Sequence, residues 1–485
     1  MNPWQLLSFV IAYFIILLFV AWRTGKNTNN DSFFIGNKSS NWMLVAFGMV
    51  GTSLSGVTFV SVPGGVGVSG FAYFQITLGY LIGYLVIAYV LLPLYYKLNL
   101  TSIYKYLSDR LGETSYKTGA SFFILSRTLG ATARLYLVVN ILQISILNSF
   151  EVPFWLTTAV ILLMILLYTF KGGVKTIVWT DTLQTVCMLA GLVICAIYIM
   201  NNMGLSFGDA VNQMEMKSLS TIFNTDPNSK LFFAKQIVAG AFITITMTGL
   251  DQEMMQKNIS VKTLKDSQKN MITLSLILLV VILTFLFLGG LLYLYADANN
   301  IAAKGDQLFP EVAINHMPPI IGVIFIIALI SALFPSADGA ITALTSSICI
   351  DILGIKNRPD LSEHQQKKIR QRVHLIMAFV FLLFVLVFKA IDNKSMIDII
   401  LLVAAYTYGP LLGLFSFGIL TRRKVNEKFV PIVCILAPVL CYLLSHFSKS
   451  FLGNFEIGLE LIIINGLLTF IGLLAISYTP QTLNK

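Results

Sequence analysis

Residues Ser331–Ser347 read SALFPSADGAITALTSS and follow directly on the apolar run Ile320–Ile330. At helical spacing Ser331, Pro335, Asp338, Thr342 and Thr345 fall on one face, so hydroxyls, a proline and a carboxylate point the same way. A carboxylate inside a membrane costs at least about 3 kcal/mol unless something positive or watery meets it. A small cation is the natural partner for such a stripe.

Three more charged residues sit in apolar surroundings. Asp181 lies six residues past Lys175, close to one membrane face, and Asp338 lies 18 residues past Ile320. At 1.5 Å per residue that is ~27 Å down a ~30 Å core, so the two carboxylates are expected at the same depth. Asp181 is read either as a cation ligand or as a residue favoured by the dipole at a helix N-terminus. If the two carboxylates approach without a cation, one is expected to hold a proton at neutral pH. Arg127 and Arg134 are seven apart and share a helix face. Arg134, near mid-depth, is read either as a bidentate anchor for a solute carboxylate or as a counter-charge to the acids. Arg127, nearer the inner end, reads as structural.

The elements that position these residues are membrane spans. The 485-residue chain is 56% hydrophobic and 12% charged, with a mean hydropathy of +0.80, outside the soluble globular range. Thirteen apolar windows are long enough to cross ~30 Å of hydrocarbon: 4–22, 42–62, 71–96, 119–148, 152–170, 176–200, 231–250, 271–296, 318–350, 374–391, 396–420, 430–448 and 456–478. Of the 33 Lys and Arg, 24 fall in the alternate loops beginning with that after the first window, together with the C-terminal tail. Seven fall on the opposite side. The expectation is a multi-pass protein of the plasma (inner) membrane, N-terminus outside and C-terminus cytoplasmic. The net charge of +10 is then topology, and nucleic acid is not expected as a partner. The lipid bilayer is. No nucleophile, base and oxyanion grouping can be assembled from the loops, so enzyme activity is not expected.

No interhelical segment is long enough to bury a soluble core. Two spans carry interruptions: Gly51-Thr-Ser-Leu-Ser-Gly56 in the second, and Pro335 with Gly339 in the ninth. Transporters built from inverted five-helix repeats unwind helices at such places, where freed carbonyls meet Na⁺. This divides the chain into a peripheral first helix and linker (1–40), a first repeat (41–200), an external loop (201–230), a second repeat (231–425) and two peripheral helices (426–485). Under this reading the interruptions fall in the first helix of one repeat and the third of the other.

Four segments resemble the sodium/solute symporter family: Lys171–Thr185 (KGGVKTIVWTDTLQT), Gly249–Lys257 (GLDQEMMQK, with Lys257 where Arg is usual), Thr52–Thr58 with Phe59 and Pro63, and the stripe at Ser331–Ser347. The resemblance covers roughly 40–425. It implies an all-α, LeuT-like core of ten helices that carries a small organic solute with Na⁺ by alternating access. The expected functional unit is a monomer. It places one Na⁺ among the carbonyls of Gly51, Leu54 and Ala332 and the side chains at Pro335 and Ser336. The family usually has two successive hydroxyl residues there, so Pro335 removes an oxygen; it also frees the Ser331 carbonyl, which can replace it. Alternatively, Pro335 is an ordinary kink. Asp181 matches the acid of a second sodium site, and Asp338 stands beside it as a ligand for Na⁺ or a proton. Solute contacts fall on Ser53, Ser55, Thr58, Tyr73, Gln75 and Arg134. The helix-four arginines favour an anion such as a sialic or monocarboxylic acid; a sodium- or proton-coupled sugar or amino-acid symporter and a transporter-derived sensor are the alternatives. Electrogenic uptake is expected.

Overall fold

The computed structural model describes residues 3–24, 33–34, 38–391, 396–447 and 453–479, without side chains at 170–173 and 175. Lys394 and the Lys171 and Lys175 side chains, which enter the charge count, lie outside these.

Eight helices are individually long and apolar enough to cross a membrane, and three bent pairs bring the number to eleven. The shorter apolar helices Phe154–Thr169 and Leu461–Ala475 complete thirteen among the described residues. They are numbered here as spans one to thirteen. Their starts carry the expected signals. Asn41 accepts from the Met43 amide (2.9 Å) at the second span, and Thr263 accepts from the Asp266 amide (3.2 Å) at the eighth. Proline occupies the first turn of the ninth, where its missing N–H costs nothing.

Phe154–Asn202 is helical throughout its 49 residues, which would extend ~74 Å if straight. Its contacts show that it doubles back. Tyr168 meets Asp338, and farther along the chain Gly51 and Pro335 are met at Thr185, and Ala328 at Gly191. The fifth span (Phe154–Thr169) and the sixth (Thr176–Asn202) are therefore antiparallel limbs joined at the end that the charge count assigns to the cytoplasm.

The ninth span (Pro319–Ile352) is the centre of the molecule. Its apolar window is 83% buried, against 22% for the twelfth (Glu427–His446) and 28% for the first (Pro3–Thr24). It packs on the fifth and sixth spans and on the fourth (Glu113–Ser145), and every residue of the Ser331–Ser347 stripe lies inside the protein. The third span (Tyr73–Lys97) and the seventh (Phe233–Gly249, Gln252–Ile259) touch backbone to backbone: a Cβ on Gly79 would collide with the Ile237 carbonyl. Between the sixth and seventh spans, Ser206 and Asp209 form a capping box on a short helix, Phe207–Met216.

The breaks differ from the sequence expectation. The second span is broken as expected, Trp42–Ser53 and Gly56–Ser69 meeting at 57°. The ninth is not, and runs as one helix through Pro335 and Gly339. The partner break lies in the seventh span, where a π-turn at Ile245–Gly249 ends and Gln252–Ile259 restarts at 65°. Proline removes only one helical bond, and packing on all sides of the ninth span holds the helix through it. At the seventh span Asp251 competes with the helix: its carboxylate accepts from the Glu253 (2.9 Å) and Met254 (3.3 Å) amides and starts a new one. Both breaks thus fall in the first span of the segments expected as repeats, 41–200 and 231–425.

Candidate ion and solute site

At the first break Leu54 ends the helix (φ −95°, ψ 88°) and Ser55 is extended, so the carbonyls of Gly51–Leu54 stand at a helix end without intrahelical donors. The second break solves the same problem internally. There the Tyr95 hydroxyl donates to the Gly249 carbonyl (2.8 Å) and the Tyr104 hydroxyl to the Leu250 carbonyl (2.9 Å).

Gly51 faces the ninth span: a Cβ there would collide with the Thr185 hydroxyl and lie 3.6 Å from the Pro335 ring. Ala332 is buried between this contact and the one that Gly56 makes with Leu329 and Leu333. Ser336 is buried beside them, its hydroxyl donating to the Leu333 carbonyl (2.8 Å) and leaving its lone pairs available. Pro335 brings no side-chain oxygen but leaves the Ser331 carbonyl without its helical donor. The Ser331 hydroxyl bonds Tyr13 of the first span (2.6 Å). This donor set, carbonyls and one hydroxyl with no carboxylate, suits a hard monovalent cation.

The buried acids each have a partner of their own. Lys257, at the end of the seventh span, sets its ammonium 2.6 Å from Asp181 Oδ2 and 2.6 Å from the Thr52 hydroxyl. Asp338 Oδ2 accepts from the Tyr168 hydroxyl at 2.7 Å. Each carboxylate thus has a different partner, and no hydrogen bond joins the two among the described residues. Arg127 does not serve Asp181 or Asp338 either. It is ion-paired to Glu253 and stands 3.8 Å from Asp251, whose Oδ2 also accepts from the Tyr408 hydroxyl (2.6 Å). The motif Gly249–Lys257 is thus a fastener: Gln252 holds the Thr101 carbonyl and the Ile103 amide, and Gln256 holds Phe34 and Ser346.

A cavity of about 1230 Å³ opens between the second, fourth, eleventh and thirteenth spans, at the end that the charge count assigns to the outside. A small chamber of about 100 Å³ lies below it, with Tyr73, Ile397 and Leu401 in the walls of both. Ser53, Ser55, Thr58, Tyr73 and Arg134 line the chamber. Arg134 makes no ion pair or hydrogen bond among the described residues, in contrast to Arg127 on the same helix face. Gln75 is not in either wall. Its amide donates to the Ala72 and Leu231 carbonyls (both 3.2 Å) and accepts from the Asn224 amide (3.3 Å), so it ties down the external loop.

The model of the sodium:solute symporter family matches residues 33–428. The chain belongs to that family. It is a sodium-coupled symporter and not an enzyme, embedded in a membrane by many spans. The sodium/sialic acid symporter SiaT of Proteus mirabilis is 23% identical over 479 residues, 91% of this chain and 90% of that protein. The sodium-coupled monocarboxylate transporter 1 of Xenopus laevis is 26% identical over 438 residues, 86% of this chain and 68% of that protein. Among solved structures, a Na⁺-coupled sialic acid symporter in a substrate-bound outward-open state matches with a TM-score of 0.82 at 19% identity, covering 96% of both chains. Mhp1, a nucleobase-cation-symport-1 transporter, in a closed conformation matches with a TM-score of 0.55 at 13% identity, covering 93% of this chain and 96% of that one. The fold of the symporter is accordingly LeuT-like.

Two functional side chains escaped the sequence reading. Tyr168 sits in an apolar run with nothing to mark it. Lys257 carried a signal, since it is the one cation in the short amphipathic segment 252–259, yet only the tertiary fold brings it to Asp181.

Proposed function

We propose that this symporter imports a small organic anion whose carboxylate is held by Arg134. The single observation behind the reading is a guanidinium without a partner among the described residues, in the wall of a chamber lined by hydroxyl and apolar side chains whose other arginine, Arg127, is already ion-paired. Arg134 is half-buried, and an unpaired cation partly withdrawn from water carries a desolvation cost that a carboxylate meeting it in bidentate fashion offsets. The names of the relatives, sialic acid and monocarboxylate transporters, agree in charge with such a cargo. Ser53, Ser55, Thr58 and Tyr73 would bind the remainder of the solute.

Na⁺ would sit at the first break, on the carbonyls of Gly51, Leu54 and Ala332, the Ser336 hydroxyl and the Ser331 carbonyl that Pro335 frees. Binding there joins the second span to the ninth, so ion and solute together favour closure over the outer cavity, after which both leave inward. We further propose repeats at 41–200 and 231–425 with peripheral helices outside them, the N-terminus outside and the C-terminus in the cytoplasm of a cell with this protein in its plasma (inner) membrane, and a functional monomer.

The test is a thermal-shift screen of the purified symporter against carboxylic acids, neutral sugars and amino acids, with and without Na⁺. A ligand that binds only the folded state raises the melting point. An acid that stabilises the protein in Na⁺ and loses its effect in Arg134→Ala is the expected result. Stabilisation by a neutral sugar alone, unchanged in Arg134→Ala, would reject the anion reading.

A further inference from the structure

The resemblance assigns Asp181 to a second sodium site, and the residues around it do not fit one. Asp181 Oδ2 already faces the Lys257 ammonium at 2.6 Å and the Thr52 hydroxyl at 3.1 Å. The three groups close a ring in which Lys257 donates to both oxygens and Thr52 accepts from Lys257 (2.6 Å) while donating to Asp181. Glu253 Oε1 lies 3.8 Å from the same ammonium. All four side chains are buried, and they come from the broken second span, the sixth and the restarted half of the seventh. An ammonium ringed by a carboxylate, a hydroxyl and a second carboxylate is coordinated much as a monovalent ion would be.

A Na⁺ touching either Asp181 oxygen would stand within about 5–6 Å of that ammonium. Repulsion between two unit charges at this distance weakens binding by roughly a hundredfold at the effective dielectric of a protein interior. While it holds its lysine, Asp181 is therefore a roughly hundredfold poorer ligand for a sodium ion, even though its Oδ1 has no hydrogen-bond partner among the described residues.

We infer that Lys257 is the resident cation of the second site, its ammonium tethered where a second Na⁺ would bind, so that each transport cycle of this symporter moves one Na⁺. The inference rests on the proposed sodium site at the first break. It has an electrical consequence. One Na⁺ carried with one monovalent acid anion moves no net charge, so uptake runs on the Na⁺ concentration gradient and is indifferent to membrane potential, in contrast to the electrogenic cycle expected from the sequence.

The experiment is ²²Na⁺ binding to the purified full-length protein, with Lys257→Met and Lys257→Arg beside the unaltered chain. One ion per chain with a Hill coefficient near 1 is expected for the unaltered protein and for Lys257→Arg. Two ions, with the coefficient rising toward 2, are expected for Lys257→Met. Two ions in the unaltered protein overturn the inference and leave sodium symport standing. No bound ion, with solute binding intact, overturns the sodium reading itself and the inference with it. One ion in a folded Lys257→Met shows that the vacated carboxylate does not take Na⁺ and overturns the tethered-cation role. Should Lys257→Met fail to fold, the count on the unaltered chain decides alone.

Discussion

Tyr168 and Asp338 are joined by a 2.7 Å hydrogen bond that links the fifth span to the ninth, 170 positions apart in the chain. The other Asp338 oxygen is buried with no donor, so this hydroxyl is the carboxyl group's one hydrogen-bond partner among the described residues. Tyr168→Phe is expected to destabilise the protein by about 1–3 kcal/mol, lowering the melting temperature by several degrees. Adding Asp338→Leu removes the stranded group and recovers part of the loss. A double variant no more stable than Tyr168→Phe would show that the bond is incidental.

The two arginines of the fourth span predict opposite phenotypes. Arg127 is tied to Glu253 and Asp251, and removing one member of a buried ion pair costs about 3–5 kcal/mol. Arg127→Met should therefore fold poorly in any solute, and Arg127→Met with Glu253→Leu should fold better than the single change. Arg134→Lys should fold normally and bind the acid on the order of tenfold more weakly, because an ammonium cannot reproduce a bidentate contact. Melting curves with an acid titration separate the two.

At the first break, Ser336→Ala removes the only side-chain oxygen proposed as a sodium ligand. The Na⁺ concentration for half-maximal stabilisation should rise about tenfold, which corresponds to about 1.4 kcal/mol. Pro335→Ser supplies the hydroxyl that the family usually has and should lower that concentration. An unchanged Na⁺ dependence in both would remove the break as the ion site.

Asp306 lies outside the spans, in the wall of the outer cavity, half-buried and accepting from the Met396 amide at 3.3 Å. Burial holds its carboxyl above the usual carboxylate range, and Asp398 pushes it the same way, against the nearby Ser61 hydroxyl and the hydrogen bond from the Met396 amide. The folded state thus keeps a proton that the unfolded chain has released. The stability it contributes is fully present below the usual carboxylate range and is lost as pH rises through the raised value. Asp306→Asn should flatten the fall in melting temperature over that window; an identical slope in the variant would assign the pH dependence elsewhere.

Most of the span pattern was legible because bilayer thickness imposes length on apolar runs, and the Gly51–Gly56 interruption was legible because glycines and hydroxyls weaken a helix in lipid. The second break was not. Pro335 looked like the stronger breaker, but a single missing donor in a helix packed on every side matters less than Asp251, whose side chain offers the backbone a competing bond. The depth of Asp181 and Asp338 followed from rise per residue, whereas their partners, Lys257 and Tyr168, depend on which helices meet. Gln75 failed for a related reason: adjacency in sequence to Tyr73 said nothing about a loop near residue 224 that would claim its amide.

The unequal finish of the two helix breaks gives the molecule a built-in polarity. Tyrosines plug one set of stranded carbonyls for the lifetime of the fold, while the other set depends on what the surrounding medium supplies. With the proposed sodium site, external salt would be a structural component as well as a driving force, completing a helix junction that the polypeptide leaves unfinished. The other junction is already closed by tyrosine hydroxyls, so the two breaks would respond differently to one ion, and that difference would give the hinge its direction.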